Sequence, residues 1–235
     1  MVVTWIGSAG LVIAQPLLGL SPDLLTLAQF GPTIGMLAAV GLAAALRRPS
    51  TLTPATVSLT TVARRIVVGA AILTLLFFGY VEVATAIGHP VRVPNITAFG
   101  LLAVLQLAGA CGEELGWRSF LQRHLRVRWP TLVSSVVVGV LWGSWHVQYY
   151  RFGFAFLATF VVTTVAVSVI FGVLTEGSGW WSLPIAGILH WLLNLGILLF
   201  ADFQHGGQPT VTVLAVVSVV AAAITATVAH YRRAD

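Results

Sequence analysis

Two adjacent carboxylates stand at the end of a long apolar stretch, in Gly112-Glu-Glu-Leu-Gly-Trp-Arg118. On a helix, Glu114 and Arg118 are four residues apart and can form an ion pair, whereas Glu113 points about 100° away from them. Two neighbouring carboxylates in a low-dielectric environment cannot both ionise at low cost unless a cation such as Arg118 compensates. The spacing therefore leaves Glu113 available as a general base. A simple Glu–Arg pair at a membrane interface is the alternative.

Two further apolar stretches each carry a histidine with a partner one helical turn away. Trp142 precedes His146 by four residues and Asn194 follows His190 by four, so each pair shares a helix face. Imidazole and carboxamide groups suit the activation of water and the stabilisation of a developing oxyanion. A single intramembrane histidine is commonly a packing residue, but these ionisable and polar groups on three apolar segments need one another as partners.

The segments that carry these residues are typical of membrane-spanning helices. The chain has 235 residues, of which 58% are hydrophobic and only 8% are charged, and its mean hydropathy is +0.96. A soluble domain needs more charge to cover its surface. A helix crosses the hydrocarbon core with about 20 mainly apolar residues, and eight blocks approach or reach that length. They are Val3–Leu20, Leu25–Leu46, Ile66–Ile87, Ile96–Gly116, Thr131–Tyr149, Phe152–Thr175, Leu183–Phe200 and Val211–Ala229.

We therefore predict an all-α fold, a polytopic transmembrane bundle of about eight helices in one domain over residues 1–235. Strands are not expected, because alternation is absent and a backbone in lipid favours helices. The first block is interrupted by Ser8, Gln15 and Pro16. It lacks the basic region and cleavage site of a signal peptide, so we interpret it as a retained helix. The single cysteine, Cys111, excludes an internal disulfide.

The arginines predict how the bundle is oriented. All twelve basic residues are arginine, and eight spans leave only Arg92 and Arg151 on one side. Because cytoplasmic loops are enriched in basic residues, both termini and the arginine-rich connections are predicted to be cytoplasmic. The net charge of +5 reflects this topology, and no nucleic-acid partner is predicted. The ten cytoplasmic residues would be Arg47, Arg48, Arg64, Arg65, Arg118, Arg123, Arg126, Arg128, Arg232 and Arg233.

The three motifs together resemble those of a known family. Gly112–Arg118 is similar to the Glu-Glu-x-x-x-Arg motif of the CAAX-protease and bacteriocin-processing (CPBP, or Abi) family of intramembrane proteases. Trp142-x-x-x-His146 resembles its aromatic-x-x-x-His motif, with Trp where Phe is usual, and His190-x-x-x-Asn194 resembles its last motif. Gly177–Pro184 and Phe30–Pro32 also look like family segments. The specific part of the resemblance, the motif core, spans residues 112–194.

This resemblance implies an intramembrane endopeptidase, and it assigns roles by motif. The six residues divide into water activation by Glu113 and His146, oxyanion stabilisation by His190 and Asn194, and orientation of the site by Glu114 and Arg118. The remaining candidates match no motif and are interpreted as interface, loop or helix-end residues: Glu82, His124, His205 and His230.

Cofactor and substrate stay open at this point. Glu113, His146 and His190 could hold a zinc ion with one open position, but a metal-free water activated by glutamate is equally compatible. The substrate would be a membrane-embedded or lipid-anchored peptide or protein, either CAAX-like or a small peptide. The absence of lysine suggests a GC-rich bacterial source, and hence a multi-pass protein of the plasma membrane.

Two other classes of function are also compatible with these residues. A haem protein could use His146 and His190 as axial ligands, although this leaves Glu113, Glu114 and Arg118 without a role. A membrane immunity or transport protein could bind its target without cutting it.

Catalysis requires Glu113 and His146 to approach within about 6–7 Å, so that they share one water. An end of the fourth span at Gly116 would leave Glu113 at the membrane surface. We therefore expect this helix to continue through Arg118 to about Gln122, with residues 129–133 at the interface. Glu113, His146, His190 and Asn194 should then line one polar cavity that opens toward the cytoplasm or its leaflet.

Overall fold

The computed structural model describes residues 1–21, 25–47, 52, 57–89, 91, 99–201 and 206–234. Every regular element in these ranges is helical, which confirms the predicted all-α fold. The α-helices are α1 (Val2–Leu17), α2 (Gly31–Ala45), α3 (Leu59–Ala86), α4 (Phe99–Gly116), α5 (Arg123–Arg126), α6 (Thr131–Trp145), α7 (Phe154–Leu174), α8 (Ser182–Gly196) and α9 (Gln208–Ala234).

Five helical stretches of the described ranges are long and apolar enough to cross a membrane, and the chain is a multi-pass membrane protein. α1 and α6 are apolar but shorter. The predicted count of eight spans and the cytoplasmic termini rest on the sequence alone, and Arg48 and Arg92 lie outside the described residues. The five stretches are Leu27–Ala45, Leu59–Ala86, Phe154–Leu174, Gly179–Ala201 and Gln208–Arg232.

The helix that carries the two glutamates continues past Gly116, as expected. A π-helical segment, Trp117–Gln122, joins α4 to α5 without a break. This segment contains no Gly or Pro that would end a helix. A π-helical turn holds one more residue than an α-helical turn, so it changes the direction of the side chains that follow, and such segments are frequent at functional sites. Here the segment buries Trp117, Arg118, Ser119 and Gln122.

α7 forms the centre of the bundle, between α6 and α9. Its buried residues lie all around the helix, as expected for a helix enclosed on every side. Small residues allow α6 to approach it closely: a Cβ at Gly139 would lie 2.5 Å from Cα of Val165. Hydroxyl groups join the two helices, because Ser168 donates to the carbonyl of Ser135 at 2.7 Å. In lipid, such close packing and interhelical hydrogen bonds hold helices together.

The N-terminal helices pack on α4, the helix that carries the two glutamates. α1 contacts α2, and α2 contacts α4. A 3₁₀ turn, Leu27–Phe30, leads into α2. Pro32 stands at the start of α2, where a missing backbone N–H costs nothing. Gln15 of α1 accepts from the Leu27 amide at 2.9 Å and donates to the Leu25 carbonyl at 2.9 Å. These hydrogen bonds hold the 3₁₀ turn against α1, and the turn also contacts α4.

Candidate active site

Glu114 joins the first motif to the last. Its Oε1 accepts a hydrogen bond from Nη1 of Arg118 at 2.8 Å and another from Nδ1 of His190 at 2.8 Å. Arg118 comes from the π-helical segment and His190 from α8. All three side chains are buried, with Glu114 fully inaccessible. A buried carboxylate is stable only when it is paired and hydrogen-bonded, and Oε1 meets both conditions, whereas Oε2 has no hydrogen-bond partner among the described residues.

Glu113 points to a different set of partners. Its Oε2 accepts from the indole Nε1 of Trp142 at 2.7 Å, and its Oε1 accepts from Nε2 of Gln29 at 3.2 Å. The residue is only 2% exposed. Each oxygen therefore has one neutral N–H donor, and the cation Arg118 is bonded to the neighbouring Glu114 instead. The two adjacent carboxylates are thus divided between different environments, which is how a general base is kept distinct from an orienting residue.

His146 stands directly after the C-terminus of α6. Its Nδ1 lies 2.9 Å from the carbonyl oxygen of Trp142. Because a carbonyl only accepts, Nδ1 carries the proton, and in the neutral ring Nε2 is the basic nitrogen. The ring packs against Phe160 at 5.0 Å and is stacked on Tyr149 at 5.8 Å, centroid to centroid. These contacts fix the orientation of the imidazole.

Trp142 connects the residues of all three motifs. Besides its hydrogen bond to Glu113, its ring centroid lies 6.1 Å from that of His146 and 5.0 Å from that of His190. The guanidinium carbon of Arg118 lies 4.4 Å from the indole centroid, a cation–π contact. The structure therefore brings Glu113, Glu114, Arg118, His146 and His190 into one cluster around this indole.

Asn194 lies one helical turn beyond His190 on α8. Its Nδ2 donates to Oε1 of Gln106 on α4 at 3.3 Å. The amide thus has one N–H held by Gln106 and a second N–H for another acceptor. The expectation that Asn194 and the cluster around Trp142 line a single cavity stays a prediction.

Comparison with known families agrees with this cluster. Residues 95–196 match the family described as type II CAAX prenyl endopeptidase Rce1-like. The matched segment includes all six predicted site residues, from Glu113 to Asn194. This match supports the resemblance of the segment to CPBP-family intramembrane proteases. The family predicted from the motifs is thereby confirmed, and the match supports protease activity of the CAAX type in general. No curated protein matches the chain.

Two glutamines contact the motif residues, and the sequence analysis missed both. Gln29 bonds Glu113, and Gln106 bonds Asn194. A signal for each was present: Gln29 directly precedes the family-like Phe30–Pro32, and Gln106 is seven residues before Glu113, on the same face of α4. An amide side chain in an apolar stretch needs a hydrogen-bond partner, and Gln29 and Gln106 have theirs among the motif residues.

The remaining candidates of the sequence analysis lie apart from the cluster. Glu82 is exposed on α3. Nδ1 of His124 bonds the carbonyl of Phe120 at 2.8 Å, and its ring packs on that residue. His230 is exposed and lies beside Tyr231. His205 lies outside the described residues.

A zinc ion does not fit the cluster around Trp142 as it stands. Within the described ranges, no group of three or more His, Cys, Asp or Glu side chains has a metal-binding arrangement, and this includes Glu113, His146 and His190. Their partners account for this, because both Glu113 oxygens accept from N–H donors and His190 is bonded to Glu114. Peptide hydrolysis at this cluster would therefore use only residues of the chain.

Proposed function

We propose that the chain is an intramembrane endopeptidase that hydrolyses a peptide bond of a membrane-associated substrate. The observation that carries this proposal is the division of the two glutamates. Glu114 is paired with Arg118, whereas Glu113 is held by the neutral donors Trp142 and Gln29. The carboxylate of Glu113 therefore has no cation bonded to it and is placed to accept a proton from water, the task of a general base.

Water activation would be the task of Glu113 and His146. The proton of the attacking water passes to the carboxylate, the water oxygen adds to the carbonyl carbon, and the same proton is then delivered to the leaving amine as the C–N bond breaks. Nε2 of His146 is the nitrogen available to accept a hydrogen bond from that water, because Nδ1 is bonded to Trp142. A positioned base of this kind contributes about 10²–10⁴-fold in rate.

Oxyanion stabilisation would be the task of His190 and Asn194. Since Nδ1 of His190 donates to Glu114, a donation from Nε2 to the oxyanion requires the ring to carry both protons. Asn194 adds its second N–H from the next turn of α8. Glu114 and Arg118 act through His190, as orienting residues.

The substrate we propose is a CAAX-like, lipid-anchored protein or a small membrane peptide. The motif residues are buried among apolar helices, so a substrate that partitions into the bilayer reaches them most directly. The lysine-free composition leads us to place the protein in a bacterial plasma membrane.

Trp142 argues against the bis-histidine haem alternative. Its indole packs edge-on against both imidazole rings, at 6.1 and 5.0 Å between centroids. A porphyrin between His146 and His190 would need the volume that this indole fills. A purified protein without a haem absorption band is the expected result.

The test is cleavage by the purified protein in lipid nanodiscs, followed by mass spectrometry. The substrates are a prenylated peptide with a C-terminal CAAX sequence, the same peptide without the prenyl group, and a small apolar membrane peptide. Wild type should cleave at least one of them and Glu113→Gln none, while Glu82→Gln, which changes an exposed glutamate on α3, should cleave like wild type. Cleavage by Glu113→Gln would reject Glu113 as the general base. Cleavage by none of the folded proteins would reject the proposed function in favour of a non-proteolytic immunity or transport role.

A further inference from the structure

The segment Gln29–Thr33 lies against α4, although it precedes the part of the chain that matches the family. Three glycines of α4 make this approach possible. A Cβ at Gly109 would lie 2.2 Å from Oε1 of Gln29, one at Gly112 would lie 2.7 Å from Cδ1 of Phe30, and one at Gly116 would lie 2.4 Å from the carbonyl oxygen of Pro32. At Gly116 the obstacle is the backbone of Pro32, so a larger residue there would displace the segment from α4, whereas at Gly109 the flexible end of the Gln29 side chain would have to move.

The close approach places the Gln29 amide on the carboxylate of Glu113. Nε2 lies 3.2 Å from Oε1 of Glu113, and the orientation of the amide follows from chemistry, because an ionised carboxylate only accepts. Trp142 donates to the other oxygen of the same carboxylate, from α6. The two donors come from different helical segments and bind different oxygens, so the carboxylate plane is defined by both of them and by neither alone.

We infer that Gln29 is a positioning residue for the catalytic base, and that the N-terminal helices complete the active site. This inference rests on the proposed function, since it presumes that Glu113 activates water. With Gln29 removed, the carboxylate is held only by Trp142 and rotates about that single hydrogen bond. Substrate binding does not depend on this contact, but the alignment of the base with its water does.

A packing role alone would predict a different result, and Thr33 provides the matched control. Its Oγ1 donates to the carbonyl of Gly112 at 2.5 Å. Thr33 thus joins the segment Gln29–Thr33 to α4 with one side-chain hydrogen bond, as Gln29 does. That carbonyl is a backbone acceptor of α4 and takes no part in the chemistry. Thr33→Val therefore removes a comparable interhelical contact and leaves the carboxylate untouched.

The experiment measures kcat, KM and thermal unfolding for the full-length protein in nanodiscs, with the peptide that wild type cleaves. Gln29→Met should lower kcat about 10- to 100-fold, the range for loss of a hydrogen bond to a charged group, with KM changed less than about twofold. Thr33→Val should keep kcat within about twofold of wild type even if its melting temperature falls. The kcat of Gln29→Glu should be lower than that of Gln29→Met at neutral pH, because the introduced carboxylate then faces the carboxylate of Glu113.

The pH dependence of Gln29→Glu separates positioning from packing. At low pH the introduced carboxyl group is protonated and donates to Glu113 again, so the activity relative to wild type should rise as the pH falls. Wild-type kcat in Gln29→Met would overturn the inference while leaving the proposed function intact, provided that Glu113→Gln is inactive. If Gln29→Met does not fold, the inference would instead be overturned by a ratio of Gln29→Glu activity to wild-type activity that stays constant across pH. No cleavage by wild type would reject the proposed function, and this inference with it.

Discussion

Nδ1 of His190 lies 2.8 Å from Oε1 of Glu114, although 76 residues separate the two in the sequence. The same carboxylate oxygen accepts from Arg118. Because Glu114 is committed to a cation and an imidazole, its neighbour Glu113 is left with neutral donors. The two adjacent glutamates therefore lie in different environments, as the proposed roles of a base for Glu113 and an orienting residue for Glu114 require.

The buried pair of Glu114 and Arg118 predicts an asymmetric loss of stability. Arg118→Met should lower the free energy of unfolding by about 3–5 kcal/mol, because it leaves a buried charge without its partner. The double variant Arg118→Met with Glu114→Met should regain part of this loss. Thermal unfolding in detergent measures both, with Arg151→Met, at an exposed arginine, as the control. A double variant less stable than the sum of its single variants would contradict the pairing.

The tautomer of His146 predicts a variant that is folded but inactive. In His146→Asn the side-chain N–H can still reach the carbonyl of Trp142, whereas the basic nitrogen is lost. We expect wild-type unfolding behaviour and a rate about 10²–10⁴-fold lower. His124 makes the same contact, with the carbonyl four residues before it, so His124→Asn is the matched control and should stay active. Equal activities of the two variants would count against His146 as a catalytic residue.

The indole of Trp142 predicts a measurable effect of one hydrogen bond. Trp142→Phe keeps an aromatic ring, as is usual in the family, but removes the donor to Glu113. The kcat should fall about 10-fold, which is the lower end of the range for loss of a hydrogen bond to a charged group. Trp191→Phe removes an indole donor to the carbonyl of Ala103 instead, and its kcat per folded molecule should be unchanged. Identical kinetics of Trp142→Phe and wild type would show that Glu113 does not depend on this donor.

The glycine face of α4 predicts a stability effect that depends on position. A Cβ at Gly116 would lie 2.4 Å from the carbonyl oxygen of Pro32, so Gly116→Ala should destabilise by about 1–3 kcal/mol through overpacking. It should also lower kcat, because Gln29 moves with Pro32. A Cβ at Gly100, on the same helix, meets no heavy atom of the described residues within 4 Å. Gly100→Ala should therefore be neutral or slightly stabilising, and an equal effect at both positions would contradict the packing.

The arginine distribution predicts the membrane topology. In a Cys111→Ala background, a single cysteine is introduced at Thr60 or at Gln208, both exposed. Because the arginine-rich connection before α3 is predicted to be cytoplasmic, a membrane-impermeant thiol reagent should label Gln208→Cys in intact cells and Thr60→Cys only after the membrane is opened. Labelling of both from the same side would reject the eight-span topology.

The sequence by itself determined the class of fold, the family and the six candidate residues. Apolar blocks of membrane-spanning length and the i, i+4 spacing of polar residues are local properties, and they depend only on the helical repeat and on the cost of polar groups in lipid. Continuation of the helix beyond Gly116 was also predictable, since Trp117–Gln122 contains no helix-ending residue.

Only the tertiary structure decided how those residues are paired. That Glu114 rather than Glu113 meets His190, that Trp142 supplies a donor, and that Gln29 and Gln106 reach the site all depend on contacts between helices distant in sequence. The glycines of α4 set how closely the N-terminal segment approaches Glu113, and the π-helical turn at Trp117–Gln122 sets the direction of Arg118 and of the side chains after it. Such rotations and distances arise from packing across the whole bundle, and the helical repeat of a single segment does not contain them.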